Sequence, residues 1–272
     1  AYNSGPMMYV YGIFGSGFGL LLASFLVKKM KDFSNFGTIT EYLETRYNSK
    51  FLRSASAFLS MVALIALVGS QVGAAVGIMN ALGMKNTTIA ALFACIVIIA
   101  LTSMGGLMAV TVTDGFQIIL VMVGVVWITV AALGDIGGLS GLNASLTAIQ
   151  SELPEGYNVF MDSEKFKSLL WMILPGLMYI MIGQDIYQRL FACKDHKTAI
   201  KASVCSAVLV CIVSVMPVTL GLIARVKHPE LATAGTSAAA FATIAMSTLP
   251  GWAVGIIIAA AISAIFSTAD SC

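Results

Sequence analysis

Charge is the scarcest property of this sequence. Acidic and basic side chains together fill 10% of its 272 positions, against about 25% in an ordinary soluble domain. The net charge is +2 and no basic run is interleaved with aromatics, which excludes a nucleic-acid partner. Histidine occurs only at His196 and His228, far apart in the chain, and neither CxxC nor HExxH spacing is present. That pattern excludes the common zinc sites. Cys95, Cys193, Cys205, Cys211 and Cys272 are scattered through mostly apolar runs and read as reduced, packed thiols. The opening AYNSGPMMY has no basic start and no cleavage site, so no secretory leader is expected. With no initiator Met and a last residue inside an apolar helix, the chain is expected to be a piece of a longer, transporter-sized protein.

Apolar residues take the place of charge, at 58% of the sequence with mean hydropathy +0.92. Runs of about 20 such residues cross a bilayer as helices. The expected fold is therefore all-α, a polytopic membrane helix bundle forming one transmembrane domain over residues 1–272. Seven spans are expected, at residues 7–27, 52–82, 87–103, 116–133, 169–190, 202–224 and 249–272. The fifteen Lys and Arg fall unevenly between the two sides. Lys28, Lys29, Lys31, Arg46, Lys50, Arg53, Arg189, Lys194, Lys197 and Lys201 share one side, against Lys85, Lys165, Lys167, Arg225 and Lys227 on the other. The excess of positive charge on cytoplasmic loops then puts loops 28–53 and 189–201 in the cytoplasm and residue 1 outside, in a multi-pass protein of the plasma (inner) membrane.

The last span ends in AAAISAIFSTADSC. Ser263, Ser267 and Ser271 recur every four residues and Asp270 stands three past Ser267, so a helix puts all four on one face, with Thr268 at its edge. A charged side chain at membrane depth costs about 2.5–3.5 kcal/mol and defaults to a functional reading. Hydroxyls with a carboxylate suit a hard cation. One serine alone is better explained as helix–helix contact. The whole stripe favours an ion site.

Earlier spans add polar residues with two readings each. Gly12, Gly15, Gly17 and Gly19 in the first span lack the GxGxxG spacing and indicate close helix packing. Thr38 with Glu41 three later is a capping box for a short amphipathic helix. The second span is too long to stand upright and carries Gln71 among Gly69, Gly73 and Gly77; Gln71 is a helix–helix bond or a solute contact. A break is expected at Gly105-Gly106. Asp114 opens the fourth span, either as its N-cap or as the acid at the mouth of the bundle. The outer segment 135–167 is net acidic, with a short helix expected over 145–152. Pro175-Gly176 and Gly183 interrupt the fifth span, followed by Gln184, Asp185, Gln188 and Arg189. Such interruptions point to a transporter's binding site, although Asp185 also fits a routine pair with Arg189 at i+4. Pro217 is expected to kink the sixth span. A short helix is expected within the outer segment 226–250.

Four blocks together, GTITEYLETRY, GGLMAVTVTDGFQ, GQDIYQRLFACKD and AISAIFSTADS, resemble the sodium/solute symporter family. The resemblance implies a partial LeuT-like inverted-repeat core, with the present spans as its second to eighth helices and the first and last ones lying outside this sequence. It implies sodium as coupling ion, with the Ala264 carbonyl, Ser267 and Thr268 as ligands and the remaining ligands on the first core helix. Asp114 matches an aspartate on the sodium path, which in some members joins hydroxyls equivalent to Ser267 and Ser271 in a second sodium site. Asp270 departs from that pattern, where serine is expected. Tyr179, Gln184 and Asp185 lie nearest the broken sixth core helix that faces solute, and Gln71 lies on the third, which lines the cavity. The expected activity is sodium-coupled symport of a small organic solute in the lipid bilayer, with no oligomer required. A transporter-like sensor that binds solute for signalling is the alternative. An enzyme is not expected, because the residues flanking Asp114 and Asp270 do not support an aspartyl dyad.

Overall fold

With no water in a bilayer to satisfy backbone N–H and C=O groups, a spanning chain closes them within helices. The computed structural model describes residues 1–30, 36–104, 107–233 and 236–271, and among these no strand occurs. Fourteen α-helices follow one another: α1 (Met8–Tyr11), α2 (Phe18–Lys29), α3 (Ile39–Tyr47), α4 (Lys50–Ala81), α5 (Thr87–Met104), α6 (Leu107–Asp135) and α7 (Gly138–Ala148), then α8 (Ser163–Ile182), α9 (Gln184–Phe191), α10 (His196–Val213), α11 (Val215–Lys227), α12 (Glu230–Thr233), α13 (Ala240–Thr248) and α14 (Gly251–Asp270). The break expected at Gly105-Gly106, together with Lys31 and Cys272, lies outside the described residues.

Among the described residues, six stretches are long and apolar enough to cross a membrane: Gly5–Lys29, Lys50–Ala81, Val112–Asp135, Ser163–Phe191, His196–Lys227 and Gly251–Asp270. The third of the seven expected spans, Thr87–Ser103, is a shorter apolar helix, near the lower limit of length for crossing. Helix α4, at 32 residues, is about 48 Å long, well beyond a hydrocarbon core of about 30 Å. Trp171 is 81% exposed and Phe51 82%, which in water would favour aggregation and on a membrane span marks a lipid-facing side.

Three sequence breakers act where the backbone demands it. The first span widens into a π-helical segment over Gly12–Gly17 between α1 and α2. The fifth span runs straight through Pro175 and breaks instead at Gly183, which ends α8 and precedes α9 in extended conformation (φ −63°, ψ 118°). The sixth breaks at Ser214, between α10 and α11. Pro217 has no N–H to give the carbonyl four residues back, which is that of Val213, the last residue of α10.

The chain divides into two compact units. One comprises residues 1–8, 68–160 and 215–271. There α14 packs on α6, α5 and α13, and α11 packs on α6, α13 and α7. Its alanine-rich core joins Ala75, Met79, Ala90, Ala94, Phe266 and Ala269. The helix expected over 145–152 begins earlier, as α7 from Gly138, and ends in a 3-10 turn at Gln150–Glu152.

The other unit comprises residues 9–67 and 161–214. Here the first span's glycines face neighbouring helices as expected. A Cβ at Gly12 would sit 2.8 Å from Ser214 Cβ, one at Gly17 would meet Cys211 Sγ, and one at Gly19 would sit 2.6 Å from Ile180 Cδ1. Ser203 Oγ donates to Leu20 O at 2.7 Å across the same seam. The capping box forms at α3: Thr38 Oγ1 accepts from Glu41 N at 3.2 Å, while Glu41 Oε2 accepts from Gly37 N at 3.1 Å, one residue earlier than the usual return bond. Val27, Ile39, Tyr187, Leu190 and Phe191 bury the helix beneath that cap.

Candidate functional site

Pro250 precedes α14 with φ −64° and ψ 146°, fixing the start of a helix that carries no charge before Asp270. Its polar face meets α6. Ser267 Oγ donates to Asp114 Oδ1, and one turn along Gln117 Nε2 donates to Ser263 Oγ at 2.6 Å. Three residues on α6 match four on α14, running in opposite directions, so both bonds fall on one helical seam. Further along, Gly124 leaves room for Ile257, whose Cγ1 would stand 3.0 Å from a Cβ there. Ser267 is buried, and Asp114, Gln117 and Ser263 are half-buried.

Asp114 is not an N-cap. Helix α6 is already formed from Leu107, so the carboxylate projects from the helix interior and cannot reach its first N–H groups. A hydrogen bond from a hydroxyl to a carboxylate is shorter and stronger than a neutral one. Among apolar neighbours such an anion attracts a cation.

The remaining oxygens of α14 divide between two roles. Ser271 Oγ donates to Ser267 O at 2.8 Å, and Thr268 Oγ1 donates to Ala264 O at 2.8 Å. Both are bonds back to the carbonyl four residues earlier, common for hydroxyls in membrane helices. A hydroxyl accepts as well as donates, so neither bond excludes a further contact at the same oxygen. Thr268 is exposed and Asp270 half-buried. The four residues expected on one face therefore do not act alike: Ser263 and Ser267 bond α6, while Ser271 bonds its own helix.

A second group surrounds Gly183 in the other unit. Tyr179 Oη donates to Asp185 Oδ1 at 2.6 Å, across the break. A Cβ on Gly183 would lie 2.8 Å from Tyr179 O and 3.0 Å from Asp185 Oδ1, so the turn needs glycine for space rather than for its φ. Gln184 Oε1 accepts from Ile39 N at 3.0 Å, which ties α9 to the first residue of α3. Its amide nitrogen is buried and has no partner among the described residues. Gln71, on α4, is half-buried. Gln117 is the residue that sequence reasoning missed. Its signal was its place three residues after Asp114, matched by Ser263 four before Ser267.

Outside the spans, Asp195 caps α10: its Oδ1 accepts from Thr198 N at 2.6 Å. That backbone bond holds the Asp195 carboxyl below its ordinary range.

The family model described as the sodium:solute symporter family matches residues 1–272. Similar proteins include a sodium/pantothenate symporter of Haemophilus influenzae, 27% identical over 241 residues, covering 86% of this chain and 48% of that protein. A sodium/glucose cotransporter of Vibrio parahaemolyticus is 29% identical over 218 residues, covering 71% of this chain and 38% of that protein. A sodium/pantothenate symporter of Escherichia coli is 25% identical over 267 residues, covering 96% and 51%. The chain spans about half the length of the curated relatives it matches. Four blocks in order, a helical architecture with six spanning stretches and a match along its whole length lead to one conclusion: this chain belongs to the sodium:solute symporter family.

Proposed function

We propose that the protein containing this chain couples the entry of sodium to the uptake of a small organic solute across the plasma membrane by alternating access. The observation that carries this reading is the contact of Ser267 with Asp114 beside the Gln117–Ser263 bond, an oxygen-lined seam on two membrane helices. Sodium takes the Ala264 carbonyl and the Ser267 and Thr268 hydroxyls as ligands. Asp114 and Ser271, with Asp270 beside them, form its path or a second site. Solute meets the broken helix at Tyr179, Gln184 and Asp185, where the amide nitrogen of Gln184, buried with no partner among the described residues, supplies a donor; Gln71 is a separate candidate contact.

The drive is electrical as well as chemical: one positive charge crossing 100 mV is worth about 2.3 kcal/mol. Sodium does work only by favouring one conformation over the other. The test is uptake by the complete protein in proteoliposomes with an imposed sodium gradient. Ser267→Ala combined with Thr268→Ala is expected to abolish the sodium dependence while protein remains in the bilayer. Unchanged sodium dependence in that variant would sink the assignment, and sodium-dependent solute binding without flux would favour a sensor.

A further inference from the structure

One buried cation makes no ion pair among the described residues. Arg225, on the last turn of α11, is 8% exposed. Its guanidinium carbon lies over two aromatic rings, 5.3 Å from the Tyr2 ring centre and 5.9 Å from that of Tyr157. The rings are themselves fixed. Tyr2 Oη donates to His228 O at 2.6 Å, and Tyr157 Oη lies 3.1 Å from both Ala1 O and Tyr2 O. Gly221, one turn before Arg225, makes room for this segment: a Cβ there would be 2.9 Å from Ala1 Cβ.

Two acids form ion pairs at this end of the helix, and each is taken by another base. Lys227 holds Asp135 at 2.7 Å and His228 holds Glu230 at 3.0 Å. Arg225 makes no ion pair among the described residues, and its Nε is buried without an acceptor. Ring faces stabilise the charge but cannot accept the five N–H bonds that a guanidinium projects in its own plane. A buried charge persists when paired and hydrogen-bonded, so this guanidinium, whose buried Nε has no acceptor among the described residues, calls for an acceptor that carries negative charge. The planar fork matches a carboxylate in two-pronged fashion, and a halide fits the same donors.

We propose that Arg225 forms the base of an anion site, on the side the charge pattern places outside, that binds a monovalent anion, either a carboxylate or chloride, beneath Tyr2 and Tyr157. The site is distinct from the sodium seam, and its failure leaves the symport reading standing. The experiment uses the complete protein in detergent at constant sodium, with methanesulfonate as the reference anion. Chloride-35 NMR linewidth reports exchangeable chloride, and acetate serves as competitor. Saturable broadening is expected in the wild type, weakened at least tenfold by Arg225→Gln, partly retained by Arg225→Lys and unchanged by Lys227→Gln. Displacement by acetate identifies a carboxylate as the preferred occupant; broadening that acetate leaves in place identifies chloride. Should Arg225→Gln fail to fold, the wild-type titration and Arg225→Lys still decide. No saturable broadening in the wild type overturns the proposal, as it would if a carboxylate of the protein already filled the site. Broadening undiminished by Arg225→Gln overturns it equally.

Discussion

Gln117 Nε2 stands 2.6 Å from Ser263 Oγ, one turn along the seam from the contact between Asp114 and Ser267. The two bonds share one surface but differ in kind, since only one involves a carboxylate. A hydrogen bond to a charged group is worth about 1.5–3 kcal/mol and a neutral one about 0.5–1.5 kcal/mol.

Under the proposed symport, that difference separates ion binding at Asp114 from helix packing at Gln117. Asp114→Asn is expected to raise the sodium concentration for half-maximal uptake by about tenfold to a hundredfold, following the charged-bond range. Gln117→Leu is expected to shift it by less than about tenfold and to act through helix packing. Uptake measured against sodium concentration checks both, and an equal effect of the two variants would refute the distinction.

At the helix break, Tyr179→Phe removes the hydroxyl that bonds Asp185. The expected outcome is a raised KM for solute with sodium half-saturation unchanged. Gly183→Ala should be the harsher change, because its Cβ meets a backbone carbonyl that cannot swing away. Overpacking of this kind costs about 1–3 kcal/mol, readable as a lower Tm in detergent.

In the first span, Gly17→Ala drives a methyl group into Cys211 Sγ. It should lower Tm, and Cys211→Ala should restore most of the loss in the double variant. The remaining loss reflects Ala207 O, 3.2 Å from the new Cβ. A double-mutant cycle isolates the pair; simple additivity would show that the two positions do not meet.

The cap on α10 gives a dependence on pH with a defined sign. The folded Asp195 carboxyl titrates below its ordinary value because Thr198 N bonds the ionised form. Its contribution is present above the unfolded pKa and is lost as pH falls through the lower folded one. Hydrogen exchange of the peptide beginning at His196 should accelerate below about pH 4, after correction for intrinsic rates. Asp195→Ala should exchange fast at every pH.

The span pattern, the capping box at Thr38 and the glycine contacts of the first span were legible because each depends on local spacing. Asp114 was harder. Apolar periodicity does not mark where a membrane helix begins, so Leu107 to Thr113 could not be assigned to α6, and a cap and a mid-helix acid looked alike. The pairing of Gln117 with Ser263 depends on the register of α6 against α14, which only packing decides. Pro175 and Gly183 were both visible breakers. Gly183 is the one at which a helix ends, and Tyr179 O and Asp185 Oδ1 leave no room there for a Cβ. Arg225 drew notice only as a cation on one side of the membrane, since its partners Tyr2 and Tyr157 come from distant parts of the chain.

The widened coil over Gly12–Gly17 has a use in evolution as well as in packing. A wide turn holds more residues than an ordinary α-turn, so losing one residue there can be absorbed by tightening to the common pitch. The same loss within α2 would rotate Gly19 about 100° away from Ile180. Length variation in this span should therefore be tolerated at the wide turn and selected against beyond it.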